Sequence, residues 1–153
     1  MSGFAYDDNV RRFKEMAKQY SRMQDRIVLL REEIRKIDDR MLNFRSPSLD
    51  RTGSSPSRHE PDIVGMIQKK TELEKEAEAA EAKCEWIRKC IGNIQSPYNR
   101  SIASMLYLDG YSISDISQEY EITPQHVFST TKDSLGTALT EELMLELLML
   151  EKD

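Results

Sequence analysis

Between Val10 and Phe44 an apolar side chain returns every third or fourth residue: Val10, Phe13, Met16, Tyr20, Met23, Ile27, Leu30, Ile34, Ile37, Met41 and Phe44. Neither glycine nor proline interrupts the run, and charged residues fill the intervals, as in "REEIRKIDDR". A half-buried strand would repeat every second residue. A three-four alternation held over this distance is a heptad seam, and it predicts one long helix packed along its length against another.

The next stretch, "RSPSLDRTGSSPSRHEP" (Arg45 to Pro61), has three prolines, one glycine and five serines. It cannot continue a helix and reads as a flexible linker, with Ser46-Pro47 and Ser55-Pro56 favouring extended or turn backbone. A second helix is predicted to begin near Pro61 or Asp62. Its seam is Ile63, Met66, Leu73, Ala77, Ala80, Cys84, Ile87, Ile91 and Ile94, with Lys70 in the one seam position that is not apolar. Alanines in "EKEAEAAEAKCE" would let a partner helix approach closely, or would thin the packing. Two such seams predict an antiparallel hairpin with arms of about 50 Å, from a rise of ~1.5 Å per residue. They could equally pair between two chains. Residues 1–95 are therefore expected to form a helical hairpin or coiled coil with its linker at 45–61, and residues 96–153 a second unit.

Composition fits this reading. Hydrophobic residues are 39% and charged residues 32% of the 153, which suits long solvated helices better than a thick core. The net charge of −5 provides no general attraction to nucleic acid or anionic membrane. The longest apolar stretch, "LMLELLML" (Leu143 to Leu150), is broken by Glu146 and falls far short of the ~20 residues of a membrane span. A soluble, cytoplasmic protein is expected, without membrane attachment. Cys84 and Cys90 lie six residues apart on the second long helix, too far to bridge each other; reduced thiols are expected.

Shorter helices follow. Ser96-Pro97 is an N-cap with proline at the first turn, opening a helix to about Leu108. "DGY" (Asp109 to Tyr111) ends it. Ser112 and Asp115 resemble a capping box and open a short helix to Tyr120. Thr123-Pro124 starts another, to about Leu135, which Gly136 is expected to break. Thr140 opens the last. Ile116, Tyr120, Ile122 and Val127 would line the inner faces of a helix-turn-helix, with Ser117 as the small residue at the crossing. Ile102, Met105 and Leu106 would close a trihelical core, which Leu135 and Leu139 would extend.

These residues carry a resemblance. "RSIASMLYLDGYSISDISQEYEITPQHVFSTTKDSLGTAL" resembles the fourth conserved region of sigma-70-type factors, in Leu108, Gly110, Ser112, Asp115, Ile116 and Ser117, then Val127, Ser134 and Leu135. It is also similar to the C-terminal halves of phage-encoded late-transcription regulators, the autolysin-regulator-like proteins. Those have a charged coiled-coil N-terminal half and a Ser-Pro-rich break, a place "RSPSLDRTGSSPSRHE" occupies here. The resemblance implies an all-α, non-enzymatic transcription regulator that binds DNA, RNA polymerase or both, in a host cytoplasm. On that frame the DNA-facing residues are Gln125, His126, Ser129, Thr130 and Lys132, on the helix that Thr123 caps.

The charges depart from the family pattern, whose reading helices carry Arg or Lys. Residues 97–153 hold three basic residues (Arg100, Lys132, Lys152) against ten acidic ones. Gln, Ser, Thr and His can contact base edges, but phosphate neutralisation supplies most affinity. Arg45, Arg51 and Arg58 of the arm and linker are expected to help. Two other readings stand beside DNA binding. One is an acidic module, an inhibitor or DNA mimic, that engages a nucleic-acid enzyme. The other is an oligomeric packaging or assembly adaptor. Enzyme chemistry finds little footing: His59 and His126 are the only histidines, and no metal-ligand spacing or phosphate-binding glycine loop occurs. No cofactor, metal or small-molecule substrate is expected.

In "LTEELMLELLMLEKD" one face carries Leu139, Leu143, Leu147 and Leu150, while Met144, Leu145, Leu148 and Met149 cover much of the rest. A helix apolar nearly all round must bury more than one face, within the chain or in a homodimer. Trp86 and Tyr98 are expected to fix the junction between the long helix and the C-terminal unit.

Overall fold

Side-chain oxygens set where the helices begin. Asp62 accepts from the Gly65 N–H at 2.9 Å, Ser96 from Asn99, Ser112 from Asp115, Thr123 from His126 and Thr140 from Leu143. Each satisfies a backbone donor that the first helical turn leaves without a partner. The computed structural model describes residues 3–45 and 62–152. Among them it is α-helical throughout: α1 (Gly3–Ala17), α2 (Tyr20–Arg45), α3 (Ile63–Gly92), α4 (Pro97–Tyr107), α5 (Ile113–Tyr120), α6 (Pro124–Ala138) and α7 (Glu141–Glu151). The rest of the predicted linker, with Arg51, Arg58 and His59, lies outside the described residues, as do the side chains of Phe44 and Arg45.

The first seam is not one helix. The backbone turns at Lys18 and Gln19: the Gln19 N–H reaches the Met16 carbonyl, three residues back, before regular bonding resumes from Met23 to Gln19. No Gly or Pro causes this. Val10, Phe13, Met16 and Ala17 before the bend enter the core that α6 and α7 share, and Tyr20 and Met23 after it pack against the same core.

Two compact units result, one of residues Asp25–Glu78 and one of the segments on either side, so α2 and α3 supply residues to both. In the first unit Leu30, Ile34 and Ile37 of α2 pack with Leu73 and Ala77 of α3, flanked by Met41 and Met66. Arg26 pairs with Glu76 at 2.7 Å and Lys70 with Asp38 at 2.6 Å, so α2 ascends as α3 descends. The helices are antiparallel and pair within one chain. Lys70, the polar seam position, thus meets a carboxylate. These half-exposed pairs contribute at most ~1 kcal/mol each, against ~1.5–3 kcal/mol for each large buried aliphatic side chain.

The second unit has two cores. The larger gathers Val10, Phe13, Met16 and Ala17 from α1 with Trp86, Ile87, Cys90 and Ile91 from α3 and Ile94 just beyond it. Ala103, Leu135, Ala138, Leu139, Leu143, Met144 and Leu147 complete it from α4, α6, α7 and the turn before α7. The fully buried Phe13 ring sits 5.2 Å edge-on from Tyr107 and 5.9 Å from Trp86. Burial pushes the Cys90 thiol up to about 12, so it stays protonated, and Cys84 is raised the same way. Both are free.

Three local expectations are corrected. Gly136 does not break α6, which continues to Ala138: burial of Leu135, Ala138 and Leu139 outweighs the ~1 kcal/mol helix penalty of one glycine. Leu135 and Leu139 do not extend the trihelical core but enter the larger cluster. Tyr98 is 43% exposed and meets Tyr120 edge-on at 5.4 Å, tying α4 to α5. Trp86 is the junction residue, buried and donating its indole N–H to the Leu143 carbonyl at 2.8 Å. Trp86→Phe keeps much of the ring packing and loses that bond, while the Leu143 carbonyl keeps its helical partner; it is expected to cost ~0.5–1.5 kcal/mol, measured as a lower urea midpoint with unchanged helicity by circular dichroism.

Candidate nucleic-acid interface

Alternation of buried and exposed positions makes α4, α5 and α6 a three-helix unit. Ile102, Ile116 and Val127, one from each helix, are fully buried together, with Met105, Leu106, Ile113, Tyr120 and Ile122 around them. Two turns orient the helices. After α4, the Asp109 N–H bonds to the Ser104 carbonyl and the Tyr111 N–H to that of Met105, while Gly110 adopts a positive φ of 78°, which costs glycine nothing. After α5, Glu121 takes the left-handed conformation (φ 56°, ψ 45°). The Ile122 N–H returns to the Ser117 carbonyl at 3.0 Å, and the Ser117 hydroxyl donates to the Ile122 carbonyl. Ser117 is the crossing residue because a small hydroxyl there fits the contact and locks the turn. Ser112 and Asp115 form the reciprocal capping box.

With Val127, Thr131, Leu135 and Ala138 inward, α6 presents Gln125, His126 and Ser129 to solvent and half-exposes Thr130 and Lys132. Thr123 caps the helix. The Ser129 hydroxyl is turned back onto the Gln125 carbonyl at 2.9 Å, and Thr130 lies 3.4 Å from the His126 ring. The predicted reading residues therefore share one solvent-facing side of one helix. They are hydrogen-bonding groups with little charge, since Lys132 stands 3.5 Å from Asp7. Arg100 is committed elsewhere: its guanidinium donates to the Ile94 carbonyl at 3.0 and 2.9 Å, closing the end of α3.

What the sequence did not reveal is that α1 lies against α6. Arg11 and Lys14 of α1 and Lys18, the first residue beyond it, fall at i, i+3 and i+7, with the Lys18 N–H still bonded to the Lys14 carbonyl. The Lys14 ammonium sits 4.6 Å from the centroid of Phe128, a ring left 47% exposed beside the reading face. A recess of about 310 Å³ is lined by Val10, Lys14, Lys18, Phe128 and Lys132 among others. Burial lowers the Lys14 pKa, and the positive charges of Lys132 and Lys18 lower it further. More than a hundred residues separate Lys14 from Phe128, so no local pattern could have joined them.

On α7 the predicted face turns inward: Leu139, Leu143 and Leu147 are buried, and Leu150 packs at the edge. Leu145, Leu148 and Met149 stay 56%, 44% and 65% exposed, an apolar strip on its outer side. The Lys89–Glu146 pair, 2.9 Å, borders it.

Fold and site together define an all-α protein with a paired-helix unit and a helix-turn-helix bundle. Its sequence is 33% identical over 60 residues, 39% of the chain, to a UPF0122 protein of Anoxybacillus flavithermus, 53% of which is covered. It is 37% identical over 57 residues, 37% of the chain, to a UPF0122 protein of a Geobacillus species, 50% of which is covered. The chain thus spans about half the length of the curated relatives it matches. No family model matches it, and no solved structure does. Among the described residues no helix is long and apolar enough to cross a membrane.

Glu121 is the one non-glycine residue at positive φ among the described residues, a conformation that costs a side-chain-bearing residue ~1–2 kcal/mol. Glycine would give part of that back to the larger entropy of its unfolded chain. Glu121→Gly is expected to raise stability by up to ~1 kcal/mol, read as a higher thermal midpoint.

Proposed function

We propose that this chain is a non-enzymatic transcription regulator that reads duplex DNA through α6. The observation that carries the reading is the geometry of α5, the left-handed turn at Glu121 and α6. It exposes Gln125, His126, Ser129 and Thr130 on one face while the opposite face is fixed in a core. The resemblance to the fourth region of sigma-70-type factors supports it, and that frame extends to contact with RNA polymerase and to a phage late-transcription role. Gln125 is the residue suited to an adenine edge, through a bidentate amide contact.

Selection of bound duplexes from a randomised library by the full-length chain at low salt tests this. A recurring short motif is expected, and Gln125→Ala should relax preference at one base pair by ~1–3 kcal/mol. Recovery of no duplex at low salt would sink the DNA reading. It would favour the acidic-module alternative, for which the ten carboxylates of residues 97–153 would meet a basic protein surface.

We further propose that the chain acts as a homodimer through the outer strip of α7, since two reading helices match paired half-sites about one helical turn apart. Leu145, Leu148 and Met149 form an apolar strip, and Lys89 with Glu146 on its border supplies both signs of charge, as a surface that meets its own copy requires. Light scattering is expected to give twice the chain mass, and Leu145→Lys with Met149→Lys the mass of one chain. A monomeric wild-type chain at tens of micromolar would rule the dimer out.

A further inference from the structure

The unit that carries the reading helix is short of cations on its own C-terminal segment, yet α1 sets a basic stripe beside that helix. Arg11 and Lys14 lie along α1 and Lys18 just beyond it, and Lys14, Lys18 and Lys132 converge on the recess around Phe128. Arg11 is held by Asp8 at 2.5 Å and Glu15 at 3.1 Å. Lys14 instead rests on an aromatic face, which holds its ammonium in place and leaves the charge unneutralised. Asp7 and Glu15 also line the recess, Asp7 lying 3.5 Å from Lys132 and Glu15 3.1 Å from Arg11; burial first, and then the charges of Lys132 and Lys18, lower the Lys14 pKa. The half-exposed Phe128 is what α6 contributes to the contact.

We propose that Lys14 of α1 and Lys18 at its end are a binding site for the sugar–phosphate backbone of the duplex whose bases α6 reads. This rests on the DNA reading above and adds the source of affinity that α6 lacks. The two lysines are one helical turn apart, about 6 Å along the axis, and phosphates of one strand advance ~3.4 Å each along the duplex, so both lysines fall within reach of a short run of one strand's phosphates. Phosphate contacts of this kind position a protein without reading sequence. The affinity of the unit then comes from a helix far from α6 in the chain, and specificity from α6 itself.

The experiment is fluorescence anisotropy of the full-length chain on a labelled mixed-sequence duplex of 24 base pairs, over a series of salt concentrations. The variants are Lys14→Gln with Lys18→Gln, and Lys83→Gln as a control cation on α3. Glutamine keeps helix propensity, and the thermal midpoint reports whether the fold is intact. The double variant is expected to bind roughly tenfold more weakly at low salt, with the slope of log affinity against log salt reduced by about 1 per lysine. The loss should be equal on every duplex sequence, and the control unchanged. An unaltered slope in a folded double variant overturns the role of α1 and leaves the DNA reading standing. Failure of the wild-type chain to bind any duplex at low salt overturns both. A still smaller slope on adding Phe128→Ala to Lys132→Gln, with Lys14 and Lys18 intact, would support the placement of the site at this recess.

Discussion

The unit that carries α6 depends on the burial of one side chain, Phe13. Its ring is fully enclosed between Trp86 of α3 and Tyr107 of α4, and the α1 residues around it complete the core that α6 and α7 share. Truncating such a ring removes several kcal/mol of burial and leaves a cavity. More follows from its position than stability. With Phe13 inward, Lys14 is left partly buried against Phe128 of α6, so a contact made for packing brings a cation beside α6.

Two cations of this unit make polar ties within it. Arg100 closes the end of α3 by donating to backbone carbonyls, and Arg12 reaches Glu151 of α7 at 3.0 Å. Tyr107, pushed up to about 12 by burial, keeps its proton, and α4 grips α6 through a buried cluster. The exposed side chains of α6 hang from a helix whose inner residues, Val127, Thr131, Leu135 and Ala138, are buried.

How much of this was legible in the sequence varied with how local the cause was. The caps at Ser96, Ser112, Thr123 and Thr140 act within three residues, and each was read in place. The trihelical core of Ile102, Ile116 and Val127 follows from helical spacing and a short turn, and it too was visible. Gly136 misled because its weak local preference was overruled by buried neighbours. The bend at Lys18–Gln19 was invisible, since the seam keeps its spacing through it and no breaker residue marks it. Tyr98 was read as a junction residue on position alone, while the side chain meets Tyr120.

By itself, then, the sequence determined an all-α chain with two long apolar seams, a capped helix-turn-helix and an α6 with one cation, Lys132. Those properties are written in spacing and in contacts a few residues long. Only the tertiary structure decided that the two seams pair within one chain, which face of α7 turns inward, and that α1 lies beside α6. Long-range packing selects among faces that are alike in local pattern, because burial rewards shape fit across the whole core and not the order of residues along one helix.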